Sequence, residues 1–205
     1  MTHPRAFVAV AGNIGTGKST LADFLSRQLP VKPVFEPFAE NPFLVDFYRD
    51  MNRWAFHSQI FFLSRKFDLH RGLDGREHNV ILDRTIYEDA EIFARNLHEM
   101  GAMSDSEYAT YQMFYRSLLG VLAPPTVLIY LHASVPVLKR RICERGRAEE
   151  QGIAPAYLEG LQKLYHRWRR AYSLSPVIDI DTGRANYLDD LFARMELLER
   201  VRPYL

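Results

Sequence analysis

The stretch at residues 8–25, VAVAGNIGTGKSTLADFL, decides how the chain folds. It opens on small and β-branched apolar residues without polar alternation, the pattern of a strand buried on both faces. It closes on an amphipathic segment that reads as a helix. Between them lie Gly12, Asn13, Ile14, Gly15, Thr16, Gly17, Lys18 and Ser19, which satisfy G-x-x-x-x-G-K-[ST] in the strand–loop–helix setting that the motif requires. Glycines let the backbone wrap closely round a phosphate and turn its N–H groups inward. The start of the helix, through Thr20, adds the positive end of its dipole. Lys18 can reach β- and γ-phosphates and the Ser19 hydroxyl can ligate Mg²⁺. The pattern implies a nucleoside triphosphate. By itself it does not separate a kinase from an ATPase or a GTPase.

Four further apolar runs follow, at 31–37, 79–84, 126–133 and 176–181, with the first strand at 6–12. Amphipathic segments at 18–29, 41–73, 86–98, 104–120, 135–145, 155–173 and 187–199 separate them. This alternation predicts an α/β fold, a five-stranded parallel sheet flanked by helices, in one domain over 1–205. Phosphate chemistry then belongs outside the C-terminal ends of the strands. The charged, weakly apolar stretch RGRAEEQGIAP at 145–155 reads as a mobile loop.

The balance of charge excludes several classes. Lys and Arg count 26 against 25 for Asp and Glu, so no global basicity points to a nucleic-acid polymer or an anionic membrane. No apolar run approaches the roughly 18 residues of a membrane span. The single cysteine, Cys143, rules out an internal disulfide framework and suits a reducing compartment. The N-terminus reads without a signal peptide, and a cytoplasmic protein is expected.

Charged residues at strand ends carry the next inference. Glu36 closes the second run, where a carboxylate could accept a proton from an attacking hydroxyl; a surface acid at a strand tip is the plainer alternative. Asp83 and Arg84 end the third, VILDR, where an acid commonly holds Mg²⁺ and an arginine can bridge donor phosphate and acceptor oxygen. Two charges there are costly unless paired or used. The run KRRICERGR at 139–147 holds five basic residues in nine positions. Arg141 and Arg145, four apart, share a helical face and could clamp a phosphoryl group, while Lys139 and Arg140 fit a solvated face. In FYRDMNRWAFHSQIFFLSRKF at 47–67, Trp54, Phe56, Phe61 and Phe62 read first as core. Gln59 in that company needs a partner, and its amide can both donate and accept, as a nucleobase edge does.

Six motifs in order, GNIGTGKST, EPF, WAFHSQ, DRTIYEDAEIF, RGRAEEQGI and YLEGLQKLYHRW, resemble the deoxynucleoside kinase family from about residue 7 to 187. The resemblance implies a nucleoside-kinase-like P-loop fold with a mobile lid at about 139–153. It also implies transfer of the ATP γ-phosphoryl group, with Mg²⁺, to a deoxynucleoside 5′-hydroxyl, and a homodimer. By resemblance Glu36 is the general base. Lys18, Ser19 and Asp83 hold phosphate and Mg²⁺, and Arg84 stands near the 5′-oxygen. Gln59 and Asp89 read the base and Phe93 stacks on it. Tyr48 and Glu150 hold the sugar 3′-hydroxyl. Arg141, Arg145 and Arg147 are lid arginines, and Tyr187 lies in the loop over the donor base. Lys66 occupies the place of the family's base-reading arginine, with Arg65 one residue earlier; Arg65 joins the substrate set and Lys66 is the alternative. The Asp83-Arg84-Thr85 triad, where animal members carry Glu-Arg-Ser, resembles bacterial deoxyadenosine/deoxyguanosine kinases. A purine acceptor is expected, with deoxycytidine as a second substrate. A nucleoside monophosphate kinase of the thymidylate kinase type would share the loop, the Asp-Arg pair and a lid. A non-enzymatic relative would tend to lose the lysine and acids that are present here.

Overall fold

The computed structural model describes residues 5–35, 38–73, 75–184 and 190–205, without the side chain of Glu149. Five strands form one sheet in the order β2-β3-β1-β4-β5, and every pairing is parallel. They are β1 (Phe7–Gly12), β2 (Val31–Val34), β3 (Asn79–Asp83), β4 (Val127–His132) and β5 (Val177–Asp181). The helices are α1 (Lys18–Gln28), α2 (Leu44–Arg49), α3 (Met51–Arg71), α4 (Ile86–Glu88), α5 (Arg95–Glu99), α6 (Asp105–Leu119), α7 (Val135–Arg145), α8 (Pro155–Ala171) and α9 (Leu191–Val201).

β1 lies at the centre and is buried along its whole length. Because successive side chains point to opposite faces, Phe7, Ala9 and Ala11 join one core and Val8 and Val10 the other. The first core is closed by the helices α3 to α8, through Leu63, Leu97, Leu161 and Tyr165. The second is closed by α1 and α9, through Leu21, Leu25, Leu197 and Val201. Each such large apolar side chain, fully buried, contributes roughly 1.5–3 kcal/mol. β1 pairs with β3 on one side and β4 on the other, so the crevice above its C-terminal end is the place where this kind of sheet holds ligands.

Three expectations change in detail. The second strand ends at Val34, two residues short of Glu36; it is an edge strand, where Pro33 costs no inner ladder bond. The segment 41–73 is two helices rather than one. They break at Asp50 (φ −145°, ψ 85°), whose carboxylate accepts from the Arg53 N–H at 3.2 Å and so caps α3. The helix after Thr85 passes through a π-helical stretch, Asp89–Ala94, before resuming as α5. Segment 139–153 comprises the end of α7, a left-handed Gly146 (φ 71°) and a 3₁₀ turn at Ala148–Glu150.

Candidate active site

The loop after β1 is built as its sequence requires. Gly15 and Gly17 take φ of 83° and 91°, and a Cβ at Gly12 would come within 2.4 Å of the Leu131 carbonyl oxygen. Only glycine fits such a backbone. Asn13 pins the loop to α8, donating to the Leu158 carbonyl at 3.0 Å and the Gln162 Oε1 at 3.1 Å. Thr16 braces it from inside, its hydroxyl donating to the Asn13 carbonyl at 2.9 Å. Lys18 folds back over the loop, donating to the carbonyls of Gly12 at 2.8 Å and Asn13 at 3.1 Å. No side chain caps α1, so its first amides remain donors for a ligand.

At the end of β3, the Ser19 hydroxyl donates to Asp83 Oδ2 at 2.5 Å. The other carboxylate oxygen of Asp83 is buried and has no hydrogen-bond partner among the described residues. A hydroxyl beside an unsatisfied carboxylate is a donor set suited to Mg²⁺, which takes few protein ligands and completes its shell with phosphate and water. Arg84 follows with φ 65°, the one non-glycine residue at positive φ among the described residues. Its guanidinium lies over the Phe93 ring, 4.4 Å from the centroid.

One cavity joins these groups. Ile14, Gly15, Lys18 and Ser19 line it, together with Asp83 and Arg84. Gln59, Asp89 and Phe93 line it as well. Gln59 is 4% exposed and its Oε1 has no partner among the described residues, so a hydrogen-bonding group is held ready at the wall. The π-helical stretch bears Asp89 and Phe93 on one wall; such turns recur at functional sites. Tyr48, Arg145, Arg147 and Glu150 complete the rim. Glu150 is 3% exposed and pairs with Arg145, and with Arg147 at 3.3 Å. Arg147 also stacks on Phe38, 4.9 Å from its ring centre.

Other residues stand elsewhere. Gly12, Asn13, Thr16, Gly17 and Thr20 support the loop without lining the cavity. Arg141 does not share a target with Arg145: it donates to the Thr182 hydroxyl at 3.0 Å and carbonyl at 2.7 Å, beyond β5. Arg65 is not brought to the cavity. It faces outward to Glu40 at 2.6 Å, because helical geometry turns it away from the side on which Lys66 is buried. Lys66 donates to the carbonyls of Asp83 at 3.2 Å and Arg84 at 2.8 Å. Glu36 and Tyr187 lie outside the described residues.

The structure adds Phe38, Leu44, Phe47, Phe62 and Tyr157 to the cavity wall. In sequence these match ordinary core residues, and Phe62 reads as one. Burial pushes the Tyr157 hydroxyl well up, with Arg84 drawing it back, so it stays a protonated donor.

A family model described as deoxynucleoside kinase matches residues 8–205. The chain belongs to the deoxynucleoside kinase family. A deoxyadenosine/deoxycytidine kinase of Bacillus subtilis (strain 168) is 34% identical over 189 residues, 90% of this chain and 86% of that protein. A deoxyguanosine kinase of Lactobacillus acidophilus is 32% identical over 203 residues, 95% of this chain and 88% of that protein. A structure of deoxyadenosine kinase from M. mycoides, with products dCMP and a flexible dCDP bound, superposes with a TM-score of 0.85 at 30% identity. The match covers 97% of this chain and all of that one. This deoxynucleoside kinase is therefore a phosphotransferase with the five-stranded parallel fold of its relatives.

Proposed function

We propose that this deoxynucleoside kinase transfers the γ-phosphoryl group of ATP to the 5′-hydroxyl of a purine deoxynucleoside, deoxyadenosine or deoxyguanosine, with deoxycytidine as a second acceptor. The observation that carries the reading is that one cavity is lined by Lys18 and Ser19 together with Gln59, whose amide oxygen is unsatisfied among the described residues, Asp89 and Phe93. The names of the relatives support the purine, and those from B. subtilis and M. mycoides support deoxycytidine as the second acceptor.

In this reading the loop between Gly12 and Ser19 wraps the donor phosphates, with the amides at the start of α1 and Lys18 directed to them. Ser19 and Asp83 would hold Mg²⁺, which neutralises phosphate charge when bound. Glu36 accepts the proton of the 5′-hydroxyl as that oxygen attacks in line. Arg84 lies beside the acceptor oxygen, and Tyr48 and Glu150 orient the sugar. Gln59 and Asp89 take the base edge and Phe93 its face. Segment 139–153 serves as a lid whose Arg145 and Arg147 turn from Glu150 to the phosphoryl oxygens as charge develops, while Arg141 and Tyr187 serve the donor side. The same reading places the enzyme in the cytoplasm as a homodimer. The exposed Met113 and Phe114 of α6 offer apolar surface to a second copy.

A panel of the four deoxynucleosides and their monophosphates, with ATP and Mg²⁺, tests this. Purine deoxynucleosides are expected to give the highest kcat/KM, followed by deoxycytidine. Phosphorylation of monophosphates and not of nucleosides would overturn the reading.

A further inference from the structure

Glu88 has no part in the chemistry above, yet it is completely buried in the first turn after Thr85. Four donors converge on its carboxylate. Oε1 accepts from the Gly12 N–H at 3.1 Å and the Tyr165 hydroxyl at 2.8 Å. Oε2 accepts from the Thr85 N–H at 2.8 Å and the Thr85 hydroxyl at 3.3 Å.

The bond from the Thr85 N–H is that of a capping box, a local device for starting a helix, and the Thr85 hydroxyl adds to it. Both occupy one oxygen. The second oxygen reaches 76 residues back along the chain to the first amide of the phosphate loop, and 77 forward to α8. Helix capping does not call for that. Thr85 directly follows Arg84, whose left-handed backbone is unfavourable in a residue with a Cβ and must be held by its surroundings. We propose that Glu88 is a positioning residue that fixes the distance between the phosphate loop, through Gly12, and Arg84, through Thr85. The inference rests on the reading that the loop holds the donor and Arg84 serves the acceptor side. Burial pushes the Glu88 carboxyl up, and the charges of Arg84 and Lys18 draw it down, so the group belongs electrostatically to both.

A residue that sets this distance matters most when both substrates are in the transition state. Glu88→Gln keeps the shape but turns an NH₂ toward one of the two backbone N–H groups. It is expected to lower kcat tenfold or more while KM for ATP and for the deoxynucleoside stay within threefold. Leu97→Ala, a core truncation in α5, is the control for a merely structural loss: its melting temperature falls while kcat of the folded protein holds. A kcat loss under tenfold in Glu88→Gln, or a fall in melting temperature with kcat held as in the control, overturns the proposal. If Glu88→Gln does not fold, Tyr165→Phe and Thr85→Val each remove one hydroxyl donor. At least one is expected to lose threefold or more in kcat at unchanged KM, and smaller losses in both overturn the proposal. A parent enzyme that phosphorylates no deoxynucleoside would instead remove the underlying reading.

Discussion

The ammonium of Lys66 donates to the carbonyl oxygen of Arg84 at 2.8 Å, inside a side chain that water does not reach. One buried cation on α3 thus grips the backbone at the residue where β3 leaves the sheet at positive φ. Lys66→Met removes bonds from a charged donor to the Asp83 and Arg84 carbonyls and is expected to cost about 2–4 kcal/mol in urea unfolding. Arg65→Ala, beside it, breaks only exposed pairs with Glu40 and Asp68 and should cost under about 1 kcal/mol.

The pairing of Ser19 with Asp83 makes a prediction about metal. Asp83→Asn keeps size and removes charge, and Ser19→Ala removes the hydroxyl. Each should shift the Mg²⁺ concentration for half-maximal turnover upward by tenfold or more. A Mg²⁺ titration of initial rates checks this, and unchanged curves would free both residues from the metal.

Gln59 sits at the wall with an amide oxygen that no described residue satisfies. Gln59→Leu fills the same space without hydrogen bonding. It should lower kcat/KM for the preferred deoxynucleoside by roughly tenfold or more, the value of one or two buried hydrogen bonds. KM for ATP should stay within twofold, as steady-state kinetics with each substrate varied would show.

Glu36→Gln should reduce kcat by about 10²–10⁴, the usual contribution of a general base. Calorimetry should find ATP still bound with affinity near that of the parent.

His70 gives the fold a dependence on pH. Burial, helped by the Lys66 charge, holds its imidazole down to about 3 from 6.5. Between those values the unfolded chain carries the proton and the folded one does not. Stability therefore falls as pH drops below about 6.5, by up to roughly 1.4 kcal/mol per pH unit. His70→Gln should flatten the slope of unfolding free energy between pH 4 and 6 by about that amount.

The loop after β1 and the five strands of the central sheet were legible because they rest on local rules. Glycine at forced dihedrals, a lysine and a serine at fixed offsets, and apolar runs without alternation each leave a mark within a few residues. The break at Asp50 was also written locally, as an acid three residues before the amide it caps, but the apolar periodicity on either side masked it. Lys66 could be singled out as a position and not as a grip on Arg84, since that contact depends on how α3 crosses the end of β3. Glu88 left no signal beyond a capping box, because its long-range partners, Gly12 and Tyr165, meet only once the sheet and α8 are assembled. Phe47 and Tyr157 look like core residues for the same reason: nothing in an aromatic side chain tells a cavity wall from a packed interior.

Gly15 bears on how the arginine segment can move. A Cβ there would come within 2.9 Å of the Leu138 carbonyl oxygen and 3.2 Å of Ile142, so the loop rests on the backbone of α7 with no room for a wedge. Arg141 projects from the stretch of helix clamped in this way, one residue before Ile142. Arg147 lies past Gly146, which is left-handed (φ 71°) and where a Cβ would meet nothing within 4 Å. The two guanidiniums thus ride on opposite sides of a joint. One sits on the turn of helix that the loop packs against, and the other follows a glycine in the left-handed region.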